Sequence, residues 1–581
     1  MALNCPEGFH CFLSIFLGDI LPGRYRESHL PGPGANRLRH ALLLLLLPFS
    51  AGAQQYPLLP RVFLNTSYPP LTGKSVTVPA GGDLQAAINS ANLGDEIVLQ
   101  AGATYTGNFT LPAKTGSGWI VIRSSSLSVM PEHTRVGPQN AASMAQVVTN
   151  SSYPVFSNIT NGAVSDRAAQ FYRFAGLEIT VTPDLPLVWN LILIEDEEST
   201  DPTGMPHDIV VDRCWVHGNS NAGMERGIWL GGSRMSVIDS YFSSFQDIGY
   251  ETQAIYGQDG PGPFKIVNNY LESAGENIMF GAPIVSGIIP ADITIHHNYI
   301  SKPLSWQGTS YDIKNLFEIK NAQRVLFDGN VLENCWPAAQ SGFGVVWIPR
   351  STNGEFPLAL AQDITFTDNV VRNTTGGINV AGLDDQCPAG DGCVTSHRVL
   401  IRNNLFYNVT ETLGGPGYLL QTANMHEFTV DHNTMQAICN TATCWAQFVV
   451  TYPTTNEIIS NNIINQNVGG QSLIGPVSLF DTVTSIVDNN SGNSLTTNLL
   501  YGPGYDNNLT QTIVQAEWFP FAASTYFATS ANAVGFVDYA GNNFALAPNS
   551  PYKGLGTDGQ DLGYNPAAID INGIVNGTYS N

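Results

Sequence analysis

The sequence predicts an all-β fold: a right-handed parallel β-helix, a solenoid with three sheets per coil and a short N-terminal capping helix. Three observations predict it. Short alternating strands recur at a near-constant spacing, and fixed periods in this range mark solenoids. Seven successive strand ends are Asn. The composition, 57 Gly and 35 Pro in 581 residues with only 12% charged, argues against helical bundles and coiled coils.

In chain order, residues 1–53 read as an upstream extension and a secretory signal peptide. Arg37, Arg39 and His40 precede the apolar run Ala41–Leu47, and Ala51-Gly-Ala53 supplies small residues for cleavage after Ala53. The run is too short to span a bilayer. A signal that begins so late places the true start near Arg37. The expectation is a secreted or periplasmic protein with no membrane span. Residues 54–74 read as a linker. Asp83 is a helix N-cap before Leu84-Gln-Ala-Ala-Ile88, a lid on the first coil, which starts at Glu96-Ile-Val-Leu99.

The coils follow. Strands such as Ile209-Val-Val-Asp-Arg-Cys214, Ile293-Thr-Ile-His-His-Asn298 and Phe428-Thr-Val-Asp-His-Asn433 each end at a polar corner. The corners at 214, 240, 269, 298, 330, 369, 404, 433 and 462 are 26, 29, 29, 32, 39, 35, 29 and 29 residues apart. From Asn269 to Asn462 all are Asn. Asn tolerates the left-handed backbone of a sharp corner, and its amide can bond the same amide one coil away. A second apolar pair follows each corner, and a third strand recurs as Gly227-Ile-Trp-Leu230, Asn315-Leu-Phe-Glu-Ile-Lys320 and Gly377-Ile-Asn-Val380. The β-helix is expected over 75–470, with an irregular C-terminal end over 471–581.

Six cysteines follow the signal segment. Cys387 with Cys393 and Cys439 with Cys444 read as short loops closed by disulfides in an oxidising compartment. Cys214 and Cys335 read as inert core thiols.

The cap helix with Glu96–Gly102, the Asn-corner coils and the ending Ser550-Pro-Tyr…Gly-Thr557-Asp-Gly make residues 75–570 resemble the pectate-lyase-like superfamily of right-handed parallel β-helix proteins. That resemblance implies a carbohydrate ligand, with uronide lyase or glycosidase activity as common outcomes. No catalytic motif of a characterised lyase family matches residue by residue.

Charge bounds the partners. Lys+Arg is 24 against Asp+Glu 47, a formal net charge of −23. This disfavours nucleic acid and requires local positive charge if the partner is an acidic polysaccharide. The chain has seven lysines, and four of them, Lys265, Lys302, Lys314 and Lys320, lie within 56 residues. Strand parity turns Leu316, Glu318 and Lys320 outward from the third sheet, and likewise Trp229 and Tyr256, whose flat faces suit a sugar chain. β-Elimination on a uronide needs a cation at the carboxylate, a base and an acid. Lys320, Glu318 and Lys314 are the catalytic candidates. Glu251 and Glu276 are candidate ligands for Ca²⁺, and Trp229, Tyr256 and Arg350 are substrate-binding candidates. Hydrolysis needs two carboxylates, for which Asp384-Asp385 is the alternative pair. A non-catalytic carbohydrate-binding or surface protein is the competing class. The protein is expected to be a monomer.

Overall fold

The computed structural model describes residues 56–579 apart from 161–162, 165–168, 197–199, 220–222, 284–286, 389, 439–445, 453, 466–470, 475–491 and 503–523. The signal segment and the Cys439–Cys444 pair therefore lie outside the described residues.

The chain winds as a right-handed parallel β-helix. One coil contributes His207–Asp212 to the first sheet, Trp215–His217 to the second and Gly223–Gly231 to the third; the next contributes Ser233–Ile238, Tyr241–Phe245 and Gln253–Gly257. Among the described residues the sheets hold 14, 14 and 12 strands. Strict register stacks like on like. In the first sheet Ile209, Met235, Phe264, Ile293, Val325, Ile364, Val399 and Phe428 pair in succession. All are buried in one continuous apolar core, which makes hydrophobic burial the main stabilising contribution.

The Asn corners form a ladder. Each Asn donates from its backbone N and its Nδ2 to Oδ1 of the Asn one coil on, at 2.8–3.1 Å, from Asn269 through Asn298, Asn330, Asn369, Asn404, Asn433 and Asn462 to Asn498. Ser240 and Cys214 continue it at the N-terminal side. Asn498 is one rung beyond the sequence expectation. The left-handed residue is not the ladder Asn but the one before it: Asn268, His297, Gly329, Asp368, Asn403, His432, Asn461 and Thr497 have φ of 54–60°. The ladder Asn supplies hydrogen bonds, and its predecessor supplies the bend.

The helix Leu84–Ser90 is capped by the Asp83 side chain, which accepts from Ala86 N at 2.9 Å. It turns Leu84, Ala87 and Ile88 into the core, closing that end of the solenoid against edge pairing. The coils run past residue 470: Ser494–Thr496 joins the first sheet, and Leu499–Tyr501 and Tyr526–Ala528 join the second.

Residues 56–72, expected as part of a linker, form a strap along the first sheet. Leu58 N donates to Asp363 and Arg61 N to Asp292, Lys265 Nζ reaches Thr66, and Arg173 reaches the carbonyls of Thr66 and Ser67. The C-terminal tail packs Phe544, Tyr564, Ile569 and Ile574 on the outward column Val331, Val370 and Leu405 of the second sheet. Two of the three outer faces thus carry chain of their own, and the charged and aromatic groups described next stand on the third. Among the described residues no helix is long and apolar enough to cross a membrane.

Cys387 and Cys393 are disulfide-bonded. Cys214 and Cys335 are free and buried, and burial pushes both thiols up to about 12, which keeps them unreactive.

Candidate functional site

Two side-chain columns run up the outer side of the third sheet. In one, Leu193, Trp229, Tyr256, Met279 and Glu318 follow each other in register. In the other, Asn190, Arg226, Gln253 and Glu276 do so. Arg226 Nε donates to Gln253 Oε1 at 3.0 Å, and Gln253 Nε2 donates to Glu276 Oε2 at 2.8 Å.

The columns meet at a charged cluster. Lys314 contacts Glu251 and lies 3.4 Å from Glu276 Oε1. Lys320 Nζ is 3.6 Å from Glu318 Oε1, beyond hydrogen-bond range. The other oxygen of Glu318 accepts from Asn315 Nδ2 at 2.5 Å and Gln340 Nε2 at 3.5 Å. Lys320, Glu318, Lys314, Glu251 and Glu276 are therefore brought together from three coils. Burial and the Glu318 carboxylate push Glu276 up to about 7, against the pull of Lys314. Burial likewise raises Glu225, which pairs with Arg226, to about 7. Burial opposes the charge on Glu251 and Lys314, yet Lys320 and Lys314 hold Glu251 below its usual range, and Glu276 and Glu251 hold Lys314 above its own.

Several sequence-based placements need correction. Leu316 is fully buried in the core rather than outward, because the strand is only Phe317–Ile319 and the preceding corner turns Leu316 in. Tyr256 is buried, edge-on to Trp229 at 4.9 Å, with the Arg226 guanidinium over both rings at 4.6 and 5.3 Å. Arg226 thus covers aromatic surface that a sugar ring would need. Arg350 is spent on Asp384, at 2.7 Å, and on Asp385. Asp384 also accepts from Ser351 N and Oγ and from Gln386 N, which hold it below the usual carboxylate range although burial opposes this. Arg350 and the Ser351 and Gln386 donors thus tie Asp384 into the loop.

The four clustered lysines also separate. Lys265 holds the strap. Lys302 is fully buried, donating to Ser273 O, Ala274 O, Gly275 O and Asn277 Oδ1. Only Lys314 and Lys320 reach the cluster.

For Ca²⁺ the donor set is a poor fit. The positive charge between Glu251 and Glu276 is the Lys314 ammonium, and calcium would need six to eight oxygens in its place. No group of three or more metal-ligating side chains is assembled among the described residues. Arg226, Gln253, Asn315 and Gln340 were missed by sequence reasoning. Corner spacing gives no signal for Arg226, which lies 12 residues past Cys214 while Glu276 lies 7 past Asn269, because the turns that lead into the third sheet differ in length from coil to coil.

No protein-family model matches the chain, and no curated protein does. Among solved structures it is similar to pectate lyase Pel9A, with TM-score 0.35 and 13% identity, covering 85% of this chain and 97% of that one. It is similar to the PL6 family alginate lyase AlyGC, with TM-score 0.40 and 12% identity, covering 85% and 59%. It is also similar to a tailspike protein of E. coli bacteriophage HK620 solved with a pentasaccharide, with TM-score 0.37 and 11% identity, covering 77% and 74%. The likeness is one of fold.

Proposed function

We propose that this is a carbohydrate-active β-helix protein that cleaves an acidic polysaccharide by β-elimination at the third-sheet cluster. One observation carries the reading. In a chain of net charge −23, Arg226, Lys314 and Lys320 converge with three glutamates on one outer face. Arg226 meets the uronate carboxylate and lowers the barrier to losing the adjacent hydrogen. Lys320 is the base that accepts that hydrogen as a proton. The electron pair forms the new double bond as the C–O bond breaks. Lys314, held protonated between Glu251 and Glu276, gives a proton to the departing oxygen. Glu276, which exchanges its proton near neutral pH, resets Lys314.

The test is a panel of uronate polysaccharides read by the ultraviolet absorbance of unsaturated product, with and without chelator. At least one should be cleaved. Lys320→Ala should lose about 10²–10⁴ in rate with an unchanged melting temperature. Full rate in Lys320→Ala would move the chemistry elsewhere. Loss of activity with chelator would put a cation where Lys314 stands.

A further inference from the structure

A second feature lies on the same face, three coil steps from Glu276 or about 14 Å at the usual strand spacing. It is a cavity of about 370 Å³ whose wall includes Asn108, Tyr153, Trp189, Asn190, Leu193 and Glu195. Its rim carries large exposed aromatics, Tyr153 at 55% and Trp189 at 44% exposure, and Tyr250 at 46% stands edge-on to Trp189 at 5.5 Å. Unlike the buried Tyr256, these rings keep faces open to solvent.

The supports are rigid. Trp189 and Asn190 sit on the strand Leu187–Glu195. The Tyr153 loop is pinned by Asn108 Nδ2, which donates to Tyr153 O at 3.0 Å and Pro154 O at 2.9 Å. Asn190 is only 6% exposed, lines the cavity, and its Oδ1 has no hydrogen-bond partner. A buried acceptor without a donor carries a desolvation cost, which a ligand hydroxyl would remove. Asn190 also heads the column that continues through Arg226 and Gln253 to Glu276, so the cavity and the charged cluster share one face in register.

We propose that this cavity is a distal subsite for an uncharged sugar ring of the same polysaccharide, stacked on Trp189 and Tyr153 with a hydroxyl donated to Asn190 Oδ1. Charge selects the class of sugar. Among the described residues lining the cavity there is no Lys or Arg. A neutral ring meets aromatic faces and hydrogen-bonding groups here. The substrate is therefore a mixed polymer in which uronates and neutral sugars both occur. This rests on the β-elimination reading for the polymer's acidic units and on the cavity alone for its neutral ones.

The experiment is isothermal titration of the full chain with neutral hexasaccharides (cellohexaose, xylohexaose, mannohexaose) and with hexagalacturonate and hexamannuronate. At least one neutral hexasaccharide should bind. Trp189→Ala and Tyr153→Ala should each weaken it about tenfold. Both aromatics are exposed, so an unchanged melting temperature will show that the variants fold. No binding of any neutral hexasaccharide, or wild-type affinity in both aromatic variants, overturns the subsite. Neutral binding without cleavage of any uronate polymer would leave the subsite standing and remove the lyase reading instead.

Discussion

Lys302 carries its ammonium into a ring of oxygens with no carboxylate among them. Ser273, Ala274 and Gly275 present carbonyls, and Asn277 presents its side-chain oxygen at 2.8 Å. Burial pushes its pKa down to about 8. Twelve residues on, Lys314 sits between two glutamates and is shifted the opposite way. The lysine count alone joined these residues, because sequence separation reports neither which face of a coil a side chain leaves from nor what oxygens wait there. Lys302 holds the turn that leads into Glu276, so it supports the cluster without touching it. Lys302→Met leaves four buried acceptors without their donor and should cost about 3 kcal/mol or more. Urea unfolding measures this, and a change under about 0.5 kcal/mol would show that the turn does not depend on the ammonium.

At the scale of the coil, the fold was legible because each coil repeats one instruction. The Asn corners at 269 to 462 set the register, and the apolar residues on either side fill the same inward columns. Insertions do not disturb this: the 39-residue step from Asn330 to Asn369 still closes with a bond of 2.8 Å between the two rungs. The site was legible only in part. Parity placed Glu318, but it failed at Leu316, where the strand is too short for alternation to hold, and it gave no sign that Arg226 covers Tyr256. The ladder makes a sharp prediction. Asn330 Oδ1 accepts from Asn298 N and Nδ2, and its own amide donates to Ile295 O, Asp328 O and Asn369 Oδ1. Asn330→Leu strands these groups and should cost on the order of 3 kcal/mol. Asn493 is no fair control, since it is half-buried and donates to Thr454 O while accepting from Glu457 N. Asn89, exposed on the capping helix where its side chain accepts only at the surface from Gln85 Nε2, is one, and Asn89→Leu should stay within about 0.5 kcal/mol. Equal shifts in thermal melting for the two variants would remove the ladder's energetic role.

Across the whole molecule, buried carboxyls set how stability follows pH. The apolar column that runs through Ile209 ends, one coil past Phe428, on Glu457. This glutamate is 1% exposed, accepts from Thr454 Oγ1 at 2.6 Å, and is pushed up to about 7 by burial. Glu276 and Glu225 are raised to about 7 and Asp368 to about 6, each chiefly by burial. A carboxyl with a raised folded value keeps a proton that the unfolded chain has released, so stability falls as pH rises from about 4.5 to 7 and the full cost stands above 7. Carboxylates held low, Glu96 by Arg123 and Glu178 by His217 and Gln146 against the opposing effect of burial, act in the other direction. Their contribution is present above about 4 and is lost in acid. The two sets together put maximum stability near pH 4.5. Glu457 lies outside the charged cluster, so it isolates the effect from function. Glu457→Gln removes a cost of up to about 3 kcal/mol at pH 8, which for a chain of this size is a gain of order 1–3 °C in melting temperature. At pH 4, where the wild-type carboxyl is largely neutral both folded and unfolded, the variant should melt with the wild type. A variant that melts with the wild type at pH 8, or lower at both pH values, would show that the Glu457 carboxyl is not the cost that its burial implies.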